Sequence, residues 1–109
     1  MSDKPIKTTH APLYANVYAT LVPVARANGY ALAVHGSMAR DLDLIAVPWM
    51  SECCSPAELV HEFSKAVAFN CYTGPTKANH GREIWTLTFP GDCFVDLSVM
   101  PMEPWSTKL

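Results

Sequence analysis

Gly36-Ser37-Met38-Ala39-Arg40-Asp41-Leu42-Asp43-Leu44-Ile45-Ala46-Val47 places a turn directly before an apolar run that carries two aspartates. Gly36 and Ser37 mark the turn, and the alternation after Arg40 has the period of a strand. A second run of the same kind, Phe94-Val95-Asp96-Leu97-Ser98-Val99, carries a third aspartate. Aspartate is depleted from strands, and an ionised carboxylate buried without a partner is expensive. Because side chains alternate across a strand, Asp41 and Asp43 point to one face. By the same rule Asp96 shares its face with Phe94 and Ser98, opposite Val95, Leu97 and Val99. If the two strands are neighbours, three carboxylates converge on one patch. Such a cluster repels itself unless something positive sits on it.

Around these two runs the chain divides into further elements. Leu13, Val17, Leu21 and Val24 recur at helical spacing from Pro12 to about Asn28, with Tyr14 and Tyr18 on a neighbouring stripe. Pro12 suits a first helical turn and Asn28-Gly29 a stop, while Pro23 is expected to kink or split the helix. Tyr30 to His35 is a short apolar strand, Gly36 to Arg40 the turn, and Asp41 to Trp49 the second strand, ended by Pro48. Ser55-Pro56-Ala57-Glu58 has the form of a capping box, and Leu59, Val60, Phe63 and Val67 give residues 56–68 one apolar face. A short strand around Cys71–Thr73 is weighed, and residues 74–82 are expected to form a polar loop. Glu83–Phe89 and Cys93–Met100 are strands joined by a hairpin turn at Pro90-Gly91-Asp92. The result is an α+β domain, a small mixed sheet packed on helices, with residues 1–10 a flexible lead-in and 101–109 an irregular tail.

Composition narrows the function classes. A chain of 109 residues supports one modest core, and half of them are hydrophobic, which argues against disorder. The net charge is −2, and the basic residues Lys4, Lys7, Arg26, Arg40, Lys65, Lys77, Arg82 and Lys108 form no stripe. General nucleic-acid binding is therefore not expected. No stretch approaches the roughly 20 apolar residues of a membrane helix, and Met1 to His10 lacks the apolar core of a signal peptide. A soluble, cytoplasmic protein is the expectation. Cys53, Cys54, Cys71 and Cys93 have neither zinc spacing nor a simple disulfide framework, and all four are taken as structural thiols.

A carboxylate cluster of this kind suits magnesium, which takes a few carboxylates, retained waters and phosphate oxygens. Backbone N–H groups in a Gly-Ser turn can approach a phosphate closely, with the Ser37 hydroxyl added. Gly36-Ser37-Met38-Ala39-Arg40 followed by Asp41-Leu42-Asp43-Leu44 resembles the Gly-Ser-x-Ala-Arg and Asp-x-Asp elements of the DNA polymerase beta-like nucleotidyltransferase superfamily, closest to its minimal single-domain members. The resemblance implies a nucleotidyltransferase-like fold and transfer of a nucleotide from a nucleoside triphosphate to a hydroxyl acceptor. It implies Asp41, Asp43 and Asp96 as catalytic and metal-binding residues. It also implies Gly36 and Ser37 as the triphosphate site; Arg40 is read either as a surface residue or as a further phosphate contact. Family members usually carry a longer helical segment between the two motifs. Here only Met38, Ala39 and Arg40 intervene, which implies weak triphosphate binding. The whole chain is also similar to small proteins of tailed bacteriophages, and this implies an alternative: a catalytically inactive module that binds a protein partner, such as a host enzyme.

Plainer readings stand beside these. Asp41 is also explained as a turn-exit residue, and Asp43 and Asp96 as solvent-facing residues on edge strands. His35 is read as a core histidine at a strand end. His80 and Arg82, in a polar loop, are within the range of a ligand but better explained by solvation. His10 and His61 have no partner at ligand spacing. Trp49, Trp85 and Trp105 are expected to finish the core or its edges, an exposed one marking a binding surface.

Overall fold

The computed structural model describes residues 10–38, 40–69 and 71–102. Helix α1 (Ala11–Ala27) leads into the antiparallel pair β1 (Tyr30–His35) and β2 (Asp41–Pro48). Helix α2 (Pro56–Ala66) then crosses to the far side, where β3 (Cys71–Lys77), β4 (Glu83–Phe89) and β5 (Cys93–Val99) return as antiparallel neighbours. The five strands form one sheet in the order β1-β2-β5-β4-β3, and β2 and β5 run parallel at its centre. The fold class is α+β, as the order of elements in the sequence implies. Among the described residues no helix is long and apolar enough to cross a membrane. The lead-in over residues 1–9, most of the tail and Trp105 lie outside the described residues.

Both helices feed one core. Tyr14, Val17, Leu21 and Ala25 of α1, with Leu59, Val60 and Phe63 of α2, pack against Leu42, Leu44 and Ala46 of β2, Val95, Leu97 and Val99 of β5, and Trp85, Leu87 and Phe89 of β4. The opposite face of the sheet has no helix on it among the described residues. The period-2 pattern of the strands is therefore also a map of the two faces.

Four expectations are corrected by the packing. Pro23 does not split α1, which runs unbroken through it. An interior proline costs about 3 kcal/mol, whereas a buried Val or Leu returns about 1.5–3 kcal/mol each, so the stripe through Val17 and Leu21 carries the helix past the lost bond. The buried stripe is set by Tyr14 rather than Leu13, which is exposed, because the Tyr14 hydroxyl finds partners inside the fold. Residues 74–77 are not loop. They extend β3 to Lys77, with a register shift between Thr73 and Thr76 that accommodates Pro75 on an edge strand. Finally, β2 and β5 are interior strands, which removes the edge-strand explanation for Asp43 and Asp96.

The capping box forms as expected. The Glu58 backbone N–H donates to Ser55 Oγ at 3.2 Å, and the Ser55 N–H donates to Glu58 Oε1 at 3.0 Å. The β4–β5 hairpin turns through residues 90–92, with Phe89 paired to Cys93.

Candidate functional site

The uncovered sheet face carries the acidic residues. On β2, Asp41, Asp43 and Ile45 alternate with the buried Leu42 and Leu44; on β5, Phe94 and Asp96 alternate with the buried Val95 and Leu97. The parallel register sets Asp41 against Phe94 and Asp43 directly against Asp96. Adjacent strands lie about 4.8 Å apart, so the two carboxylates of the Asp43–Asp96 pair face the same small volume.

The row extends on both sides. His35 of β1 is the register partner of Asp43, and Thr86 of β4 is the register partner of Asp96. Thr86 Oγ1 donates to Asp96 Oδ1 at 3.0 Å, which orients the carboxylate through one of its two oxygens. The sequence reading of His35 as a core histidine is overturned: it is exposed at the end of β1, on the face that carries Ala31 and Ala33. It was misjudged because it closes an apolar run, yet alternation alone puts it opposite Leu32 and Val34.

The charges act on one another. Partial burial pushes the Asp43 carboxyl above its ordinary value, the neighbouring Asp96 adds to this, His35 opposes it, and Asp41 raises it slightly further. Ionisation of Asp43 is thus resisted where a cation is lacking.

Two further contacts tie the turn and the helix to this row. Gly36 has a φ of +88°, and a Cβ built on it would lie 3.2 Å from Asp43 Oδ2. The backbone of the Gly-Ser turn therefore rests against the carboxylate, and glycine permits both the φ and the approach. From the core side, the Tyr14 hydroxyl donates to the Arg40 carbonyl at 2.6 Å and accepts from the Phe94 N–H at 3.0 Å. One buried phenol thus ties the residue before β2 to the start of β5. Burial raises the Tyr14 pKa, so the hydroxyl stays protonated and able to donate.

The expected residues divide as follows. Asp41, Asp43 and Asp96 share the face, and Gly36 touches Asp43. Ser37 and Arg40 lie in the same turn, both exposed, and among the described residues Arg40 makes no ion pair with the aspartates. Cys53 and Cys54 are half-buried, Cys93 is buried and Cys71 is exposed, all as free thiols. His61 and His80 are exposed and Arg82 is half-buried; none of them has a register partner in the acidic row. Tyr14, His35 and Thr86 were missed as site residues.

Among the described residues no group of three or more His, Cys, Asp or Glu side chains is placed to hold a metal ion. What is assembled is a pair. Asp43 and Asp96, with one oxygen of Asp96 engaged by Thr86, are two carboxylates that could serve as ligands to a magnesium ion, which takes a few carboxylates and fills the rest of its shell from water. Asp41, two register positions along and opposite Phe94, is the next residue of β2 on the same face. In comparisons with known proteins the chain matches no family model, no curated protein and no solved structure.

Proposed function

We propose that the protein is a minimal magnesium-dependent nucleotidyltransferase, transferring a nucleotide from a nucleoside triphosphate to a hydroxyl acceptor. The observation that carries the reading is the register pairing of Asp43 with Asp96 on an uncovered sheet face, with the Gly36 backbone against the Asp43 carboxylate.

Asp43 would hold the ion together with Asp96 or with Asp41, the next residue of β2 on the same face. Bound there, magnesium would offset the charge of the triphosphate and of the leaving group. Gly36, Ser37 and Arg40, in the turn that enters β2, would meet phosphate oxygens. Asp96 would serve in one of two roles: ligand to the ion, or, with Asp43 and Asp41 holding the ion, acceptor of the attacking hydroxyl's proton through the oxygen that Thr86 does not engage. The acceptor oxygen then bonds to the α-phosphorus as the bond to the pyrophosphate oxygen breaks, and pyrophosphate departs with that electron pair. Because the turn between the motifs is short, few phosphate contacts are supplied, and triphosphate affinity is low.

The test is transfer of α-phosphate-labelled nucleotides, with magnesium, to RNA ends and small hydroxyl compounds, beside melting measurements with the same ligands. Labelled product that disappears in Asp43→Asn supports the reading. No transfer to any acceptor, together with no melting shift from magnesium and triphosphate, sinks it.

A further inference from the structure

At the opposite end of β2 from the acidic row lies a pocket of 360 Å³ lined by Tyr18, Val22, Arg26, Tyr30, Leu32 and Trp49. It sits where α1 passes the edge strand β1. From Asp43 to Trp49 the extended chain covers roughly 20 Å, so this is a separate place in the fold. Its volume is within the range of small-ligand sites, of roughly 300–1,000 Å³.

The polar groups of the walls are of two kinds. The tyrosine hydroxyls are already committed: Tyr18 donates to the Leu32 carbonyl at 2.9 Å and Tyr30 to the Cys54 carbonyl at 2.5 Å. These bonds hold two aromatic walls in place and leave them no donor for a ligand. Arg26 is the opposite case. Its guanidinium is exposed, and among the described residues it has no ion pair; the pairs present are Lys65–Glu62 and Lys77–Glu83. Glu52, in the segment after Trp49, is not paired with it either. Trp49, one of the lining residues, is 61% exposed, a large apolar surface outside the buried core. Rigid aromatic and aliphatic walls, one unpaired cation and one exposed indole define a ligand with a flat ring and a negative group.

We propose that this pocket binds a planar aromatic anion, Arg26 neutralising its acid group and Trp49 and the tyrosines flanking its ring. The site does not depend on the nucleotidyltransferase reading. Arg26 has a competing role, since a cation in the last turn of a helix also favours the helix dipole. That role would affect stability and leave binding untouched.

The experiment is calorimetric titration of the full chain with indole-3-acetate, with indole as the ring-only probe and acetate as the charge-only probe. Indole-3-acetate is expected to bind one molecule per chain and more tightly than either half. Arg26→Met should weaken indole-3-acetate roughly tenfold, the effect of losing a charge-assisted hydrogen bond, and leave indole unchanged. Trp49→Ala should weaken both ring compounds, and Lys65→Met neither. Both target residues are exposed, so the variants should fold; in the unmodified chain, movement of the Trp49 indole N–H resonance on titration gives an independent readout. The proposal is overturned if indole-3-acetate does not saturate, if Arg26→Met binds it equally well, or if acetate alone binds as tightly.

Discussion

Tyr14 accepts a hydrogen bond from the backbone N–H of Phe94, 80 positions along the chain, while donating its own proton to the Arg40 carbonyl. A single side chain from the first helix thereby links the residue before β2 to the start of β5. Tyr14→Phe keeps the ring and removes both bonds, leaving a backbone donor and acceptor short of a partner. The expected loss is about 1–3 kcal/mol. For a chain of this size each kcal/mol lowers the melting temperature by roughly 4–8 °C. Urea and thermal unfolding check it, and an unchanged midpoint would mean that water replaces the phenol.

Asp43 carries a pH signature. Its carboxyl lies above its ordinary value of 3.8 in the folded protein, first through burial and then through Asp96. A group raised on folding contributes stability that is fully present below its unfolded pKa and lost as pH rises through the folded one. Stability of the metal-free protein should therefore fall as pH climbs upward from that ordinary value, and Asp43→Asn should flatten this fall. At neutral pH the variant should be as stable as the parent or more so, and any transferase activity should be lost. A marked loss of stability would make Asp43 a structural hydrogen-bonding residue instead.

Thr86→Val tests the anchoring of Asp96. The substitution preserves shape and strand propensity while deleting the donor to Oδ1. The expected cost is about 1 kcal/mol in unfolding, with weaker magnesium binding by calorimetry. Thr86→Ser, which restores the hydroxyl, should recover the magnesium affinity. If valine binds the ion as well as threonine does, the hydrogen bond has no bearing on the carboxylate's position.

Gly36→Ala probes the contact between turn and carboxylate. A side chain at φ +88° is strained, at about 1–2 kcal/mol, and the new methyl would also crowd Asp43 Oδ2. In the double variant with Asp43→Ala the crowding is gone and only the backbone strain remains. The two substitutions should therefore be less than additive in unfolding free energy. Strict additivity would show that Gly36 and Asp43 do not touch in solution.

The fold class was legible because it rests on periodicity: the alternation of Leu42, Leu44, Val95 and Leu97 names the buried face before any pairing is known. The capping box at Ser55 and Glu58 was legible because its parts lie within four residues. His35 and Thr86 were not, since their place beside Asp43 and Asp96 depends on strand order and register, which a single strand does not encode. Tyr14 was hidden for a related reason. Its sequence neighbours argue for an apolar stripe, and only the distant Arg40 and Phe94 explain why a phenol is buried there. Residues 74–77 were misread because glycine and proline signal loops, whereas on an edge strand a bulge accommodates both.

The parallel pairing of β2 with β5 has a kinetic consequence. All of α2, β3 and β4 must be laid down before the two strands can meet, so the acidic row is joined by the longest chain closure in the sheet. Contacts of such wide sequence separation form late and slow the search for the native state. The β1–β2 and β4–β5 hairpins can form early as local units without either one holding a complete row. The Asp43–Asp96 pair, and whatever depends on it, should therefore be among the last features to appear during refolding.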